Sequence, residues 1–256
     1  MADNANPAPR VDSTLSKGLS ILEALTAAKG SMGVSELSRE LTLTKSNTFR
    51  LLQTLSTLGY VRREANKTYS ATLKTWQVGR AVVENLNLRS AARQMMHFLS
   101  EETEETIYLA VRDGLQIVYI DKIESSKPIR SWNPIGGTAP IYCVGTGKAI
   151  LATEYAELRS ALSSSLRAYT DRTITDIEAL DEDMSATSLR GYAIDTGEFR
   201  PQIYSFGAAI LLPDGAAAGA LGVSAPNVNL AEGDIERIGA LVQHATQSVS
   251  ETLARL

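Results

Sequence analysis

The chain has 256 residues, 44% of them hydrophobic and 21% charged, with a formal net charge of −4. That suits one large domain or two modest ones of ordinary globular composition. No apolar run approaches the roughly 18 residues that span a bilayer. The N-terminus has neither the charged start nor the apolar core of a secretion signal. A single cysteine, Cys143, excludes an intramolecular disulfide framework, and with His97 and His244 it leaves too few ligands for a structural zinc site.

A cytoplasmic chain with no membrane segment, no metal and no cofactor is therefore expected. The modest net charge hides an asymmetry. Residues 1–86 hold 11 Lys and Arg against 7 Asp and Glu, and the remainder holds 14 against 22. Only the front of the molecule is expected to meet phosphate.

In chain order, residues 1–11 form a short arm without periodicity, expected to be disordered. From Asp12 a helical stripe runs through Leu15, Leu19, Ile21, Leu22 and Leu25 and ends at Lys29-Gly30-Ser31. Ser35 is placed to cap a second short helix carrying Leu37 and Leu41. After the turn Thr42-Leu43-Thr44, Thr44 is placed to cap a third helix that runs to about Leu58, where Gly59 stops it. Two short strands, Tyr60–Arg63 and Thr68–Ser70, flank a polar tip. Three helices and a basic hairpin make the winged helix-turn-helix order over residues 12–72.

With Thr48, Leu51, Leu52 and Leu55 packed inward, the third helix turns Ser46, Phe49, Arg50 and Gln53 outward, with Asn47 at the edge. Arg, Asn and Gln are the side chains that pair bidentately with guanine or adenine in a major groove. No acid lies between Lys45 and Leu58. Ser35, Lys45, Arg62, Arg63 and Lys67 complete the expected DNA-binding set, the two wing arginines as phosphate contacts. The competing reading is a solvated helix in a winged helix that binds another protein.

Residues 73–87 read as a linker helix, with Leu73, Trp76, Val78 and Val82 as the expected contact between subunits and a break at Asn85–Asn87. A second domain, 88–256, opens with a helix. A hairpin follows, from Ile107–Val111 and Gln116–Ile120 around Asp113-Gly114, with a further strand at Ile129–Asn133. A loop, Pro134–Thr146, feeds a helix that starts near Gly147. Strands at Tyr192–Thr196, Ile203–Leu212 and Ala218–Ser224 and a closing helix, Glu232–Leu253, complete an α+β domain.

Gly145-Thr146-Gly147-Lys148 is not a Walker A motif, because Tyr142 and Ala149 stand where Gly and Ser or Thr are needed. What remains is a Gly-rich turn at a helix N-terminus, which suits a carboxylate as well as a phosphate, or a plain tight turn. Cys143 has no base near it in sequence and reads as a buried thiol. Asp195 and Glu198 suit paired carboxylates for hydrolysis, loop solvation or hydrogen-bond acceptors for a ligand.

From about Asp12 to Thr252 the chain resembles the IclR family of bacterial regulators. The resemblance rests on LSKGLSILEAL, SELSRELTLTKSNTFRLLQTLSTLGYV, APIYCVGTGKAILA, RTITD, RGYAIDTGEF and GALGVSAP. It implies a GAF-like effector domain, operator DNA as partner, a homodimer or dimer of dimers, and control of a catabolic operon. It also implies an effector pocket at Gly145, Thr146, Asp195, Ser205 and Gly222–Ser224, and Gly147 and Ile203 join the expected ligand set. In this chain Ser205 stands where the family usually has Cys, Gln202 and Thr42 where it has Gly, Ala209 where it has Pro, and Thr146 where it has a small apolar residue.

With Trp132 and Tyr142 as aromatic walls, the expected ligand is a small organic acid or amide, ring-bearing for preference. Its acid or carbonyl would face the turn and a donor would face Asp195 and Ser205. Two other classes are an enzyme using Cys143, for which no base or orienting partner can be named, and a protein-interaction module.

Overall fold

The computed structural model describes residues 12–28, 30–84 and 88–255, with backbone alone for 80–84. The expected arm, the break at 85–87 and the Val82 contact therefore lie outside the described residues or side chains. The chain divides into two compact units near residue 85.

The first unit contains α1 (Ser13–Ala27), α2 (Val34–Glu40), α3 (Lys45–Thr57), β1 (Val61–Arg63), β2 (Tyr69–Ala71) and α4 (Leu73–Glu84). The Asp12 carboxylate caps α1, accepting from the Thr14 and Leu15 N–H groups at 2.9 and 2.8 Å. The single apolar stripe expected along α1 divides in two. Ile21 and Leu25 pack against Leu37, Leu51, Leu52, Val61 and Tyr69, while Leu15 and Leu19 stay exposed. At 100° per residue the second pair faces a different direction from the first.

Helix α2 starts at Val34, so Ser35 lies inside it and is not its cap. Gly33 is the capping residue, and Glu36 reaches back to the Gly33 N–H at 3.3 Å. Thr44 caps α3 by accepting from the Asn47 N–H at 3.3 Å. The turn before it holds Thr42 at φ +53°, a left-handed conformation that a β-branched residue rarely adopts. Strands β1 and β2 pair antiparallel, Arg62 opposite Ser70.

The second unit contains α5 (Leu88–Thr103), β3 (Thr106–Asp113), β4 (Gln116–Ile123), β5 (Thr138–Pro140), α6 (Gly145–Ser163), α7 (Ile177–Arg190), β6 (Ala193–Thr196), β7 (Ile203–Leu211), β8 (Ala217–Pro226) and α8 (Asp234–Leu253). Its six strands form an antiparallel sheet in the order β5-β4-β3-β8-β7-β6. Ile107, Tyr108, Leu109 and Ala110 are all buried, so both faces of β3 are covered. Tyr108 and Ala110 share a core with Ile150, Leu151, Leu162, Leu180 and Met184 of α6 and α7. Helices α5 and α8 pack on each other and on the sheet.

Three expectations change here. Residues 129–133 are not a strand, because their backbone groups are taken by side chains of β3. The Asn133 N–H donates to the Tyr108 hydroxyl at 2.7 Å, and the Ser131 carbonyl accepts from Thr106 Oγ1 at 3.0 Å. The edge strand is Thr138–Pro140 instead, and Pro140 is tolerated at an edge. Helix α6 begins at Gly145, two residues earlier than expected.

Candidate DNA-reading face and effector cavity

On α3, Thr48, Leu51 and Leu52 are buried and Leu55 is half-buried, while Ser46, Phe49, Arg50 and Gln53 are exposed. Lys45 and Ser35 are exposed as well, and Asn47 is half-buried. Arg50 Nη2 donates to Asn47 Oδ1 at 3.4 Å and meets no carboxylate among the described residues. The face thus carries amide and guanidinium groups with no anion against a phosphate backbone.

In the hairpin the two arginines differ. Arg62 pairs with Glu64 at 2.8 Å, and hydrogen bonds from Ser70 and then Arg62 hold the Glu64 carboxyl below its usual range. Arg63 has no ion pair among the described residues. Lys67 sits exposed at the tip with φ +66°.

A cleft with about 400 Å³ of space, part of it open to solvent, lies in the second unit over the α6 face of the sheet. It is lined from the strands by Tyr108, Tyr119, Ser205, Gly222 and Ser224, from the turns by Ser131, Asn133, Phe199 and Arg200, and from α6 by Thr146. Val144, Asp195, Ile203 and Val223 complete the wall.

Seven of the expected ligand residues (Thr146, Asp195, Ile203, Ser205, Gly222, Val223 and Ser224) therefore converge on one space. The other four do not line it. Tyr142 turns away, its hydroxyl donating to the Arg167 carbonyl at 2.9 Å and accepting from the Arg167 N–H at 2.8 Å. The Trp132 ring is exposed with Lys122 above it, 5.2 Å from its centroid. Gly145 and Gly147 are packing positions: Gly145 touches β7, and a Cβ on Gly207 of β7 would collide with the Gly145 backbone.

The Gly-rich turn is also less available to an anion than its sequence suggests. The Gly145 N–H donates to Ser205 Oγ at 2.9 Å, and Ser205 Oγ donates to Asp195 Oδ2 at 2.7 Å. Asp195 Oδ1 accepts the N–H groups of Gly197 and Glu198 at 2.9 and 2.7 Å. Asp195 is buried, which raises its pKa against the lowering effect of these donors.

The turn after Asp195 is latched to residues 170–173. Thr170 Oγ1 donates to the Gly197 carbonyl at 2.7 Å, Thr173 Oγ1 donates to the Glu198 carbonyl, and Arg172 donates to the Thr196 carbonyl at 3.1 Å. The RTITD segment thus supports the cavity wall without entering it.

Behind the cavity, Lys148 is 1% exposed, its ammonium 2.7 Å from Glu198, 2.8 Å from Asp183 and 2.8 Å from the Ile194 carbonyl. Burial pushes its pKa down, but the two carboxylates outweigh burial and hold it charged. Burial, only partly offset by Lys148, pushes Glu198 up to about 7. Cys143 is fully buried, and burial, then Asp195 and Glu198, drive its thiol far above the usual range. It is no nucleophile. No cluster of metal-ligating side chains occurs among the described residues, and no described helix is long and apolar enough to cross a membrane.

The sequence reading missed Tyr108, Tyr119, Ser131, Asn133, Phe199 and Arg200. The two tyrosines look like ordinary strand formers until register places their rings 4.6 Å apart. Arg200 follows the acidic run closely enough to be found, but nothing local says that it reaches across a cleft.

Residues 14–65 match the IclR helix-turn-helix domain, and residues 80–251 match the bacterial transcriptional regulator IclR C-terminal domain. The HTH-type transcriptional regulator KdgR of Escherichia coli (strain K12) is 32% identical over 241 residues, covering 93% of this chain and 91% of that protein. The HTH-type transcriptional repressor AllR of Salmonella typhi is 30% identical over 242 residues, 93% of this chain and 89% of that protein.

Among solved structures, the Thermotoga maritima IclR matches with a TM-score of 0.80 at 28% identity, over 94% of this chain and 98% of that one. An IclR homologue from Microbacterium hydrocarbonoxydans, complexed with 4-hydroxybenzoate, shares the fold with a TM-score of 0.83 at 20% identity, over 95% of this chain and 100% of that one. The relatives are regulators, not enzymes, and this chain belongs to the IclR family of DNA-binding transcriptional regulators.

Proposed function

We propose that the chain is an effector-controlled regulator of a catabolic operon, acting in the cytoplasm as a homodimer or dimer of dimers. Helix α3 reads bases through Arg50, Gln53 and Asn47 while Arg63 and Lys67 hold phosphate, and the cleft over the sheet takes a small organic acid or amide. The observation that carries the reading is convergence. Four separated segments supply Thr146, Asp195, Ser205 and Ser224 to one partly enclosed space.

Two-fold symmetry supports operator specificity, because one winged helix covers too little duplex, and it predicts half-sites about 10 bp apart. Leu15, Leu19, Leu73, Trp76 and Val78 are exposed on the DNA-binding unit and supply an apolar surface for the subunit contact. The bound 4-hydroxybenzoate of the Microbacterium homologue supports a ring-bearing acid as effector class.

The test is binding to an operator recovered by selection from random duplex DNA, with and without a panel of small acids and amides. A compound that changes operator affinity for the natural chain, and fails to do so for a folded Ser224→Leu variant with a filled cavity, is the expected result. An equal response in both proteins places the effector elsewhere. No binding to any duplex at low salt favours a protein-interaction module.

A further inference from the structure

The direction of the hydrogen bonds around the cavity decides what each end of a ligand must be. Ser205 Oγ accepts the Gly145 N–H and gives its only proton to Asp195. One acceptor site is left on that oxygen, and no donor. The opposite end has the reverse character. The Tyr108 hydroxyl accepts the Asn133 N–H at 2.7 Å, which leaves its own proton to donate. The Tyr119 hydroxyl, on the same wall, has no partner among the described residues.

Arg200 completes that end. It leaves the turn between β6 and β7 and crosses the cleft, where Nη1 donates to the Trp132 carbonyl at 3.1 Å. Trp132 adjoins Asn133 and so stands beside Tyr108. Arg200 has no carboxylate partner among the described residues, and one neutral carbonyl engages one of its five N–H donors. Burial chiefly raises the pKa of both Tyr108 and Tyr119; Arg200 opposes it at each, and at Tyr119 the Asp195 carboxylate adds to it more than Arg200 subtracts.

The opposing charge is Asp195 on β6, three strands from Tyr108 in the order β3-β8-β7-β6. An anion is thus drawn to the Arg200 end and repelled from the Ser205 end. Between them lie Gly222, Val144 and Val223, an apolar middle. Tyr108 on β3 and Ser205 on β7 are two strands apart.

We propose that Arg200, with the Tyr108 hydroxyl, holds the carboxylate of the effector, and that Ser205 accepts from a donor at its far end, so that the cavity selects a hydroxy or amino carboxylic acid. This rests on the reading of the cleft as the effector site. It reverses the placement expected from the sequence, where the acid faced the Gly-rich turn, because the Gly145 N–H is already engaged by Ser205.

The experiment is calorimetric titration of the full-length chain with 4-hydroxybenzoate, 4-hydroxybenzamide and benzoate. The natural chain is expected to bind 4-hydroxybenzoate at least ten-fold more tightly than the amide, which lacks the charge, and more tightly than benzoate, which lacks the donor. Arg200→Ala is expected to bring the acid-to-amide ratio near one while keeping the preference over benzoate. Ser205→Ala is expected to do the opposite. Because each readout is a ratio within one protein, general destabilisation does not imitate it.

An acid-to-amide ratio that survives Arg200→Ala, or one that collapses in Ser205→Ala, overturns the orientation. Absence of binding by either benzoate to the natural chain overturns the ligand class. Ser224→Leu separates the two levels: affinities unchanged there mean that the cleft reading itself has failed.

Discussion

The two units carry their proposed functional residues in opposite ways. In the DNA-binding unit they point outward from a single helix and a hairpin, and apart from Arg62 with Glu64 they meet no ion pair among the described residues. In the effector unit they point inward from separate strands and turns, and Asp195, Ser205 and Lys148 are held in a buried polar network. An outward face can be altered residue by residue with little effect on the fold. A buried network cannot, because removing one member leaves the others desolvated and unpaired.

The strongest way to break that contrast is Lys148→Met. It removes the cation from Glu198 and Asp183, and loss of one partner from a buried charge group costs about 3–5 kcal/mol. Urea denaturation should show the effector unit losing most of its stability. Adding Glu198→Gln and Asp183→Asn to the same chain should recover part of it. If Lys148→Met is neutral, the interior is not the committed network described above.

The same cluster predicts a pH dependence. Burial raises the Glu198 pKa from its unfolded value near 4.5 to about 7, so the folded state holds the proton more tightly. Its contribution is fully present below about pH 4.5 and is lost as pH rises through 7, on the order of 2–3 kcal/mol. Asp195 shifts in the same direction. Asp181, held at about 2 chiefly by its hydrogen bond from Arg159, works oppositely and costs stability only in stronger acid. Unfolding free energy measured between pH 5 and 8 should fall for the natural chain and flatten for Glu198→Gln.

On the outward face, Arg50→Ala and Gln53→Ala should each relax preference at one operator position at about 1–3 kcal/mol, with the fold unchanged. Arg63→Ala should weaken all sequences evenly and reduce the salt slope by about one unit. Arg62→Ala should do less, because Glu64 already occupies that guanidinium. Competition binding against single-base operator variants distinguishes these outcomes. Helix variants that behave like Arg63→Ala would remove α3 from the groove.

The smallest effect is conformational. Thr42 and Gln202 are the two positions where the family resemblance led one to expect glycine, and both adopt positive φ, +53° and +64°. Thr42→Gly and Gln202→Gly should each stabilise their own unit by about 0.5–1 kcal/mol, after the entropy lost by a freer glycine. Thermal unfolding checks both.

The contrast also explains what could be read from the chain. The α3 face follows from the 3.6-residue period alone, since Thr48, Leu51 and Leu52 bury one side and leave Arg50 and Gln53 on the other. Helix α7 went unpredicted although both its ends were readable, Asp176 accepting from the Ala179 N–H and Gly191 closing with φ +79°. The cavity is a different case. Ser205 meets Asp195 because β6 and β7 pair in that register, and Tyr108 meets Asn133 because a segment that looked like a strand gives its N–H to a phenol. Such contacts depend on tertiary register, which local periodicity does not encode.

Cys143 has a practical consequence. It is fully enclosed, and its thiol is held protonated. An alkylating reagent needs both access and thiolate, so it meets neither until the effector unit opens. Because the chain contains no other sulfhydryl, the rate of labelling by iodoacetamide is a built-in clock for that opening, readable on intact protein by mass. A ligand that fills the neighbouring cleft should slow the clock in proportion to its occupancy.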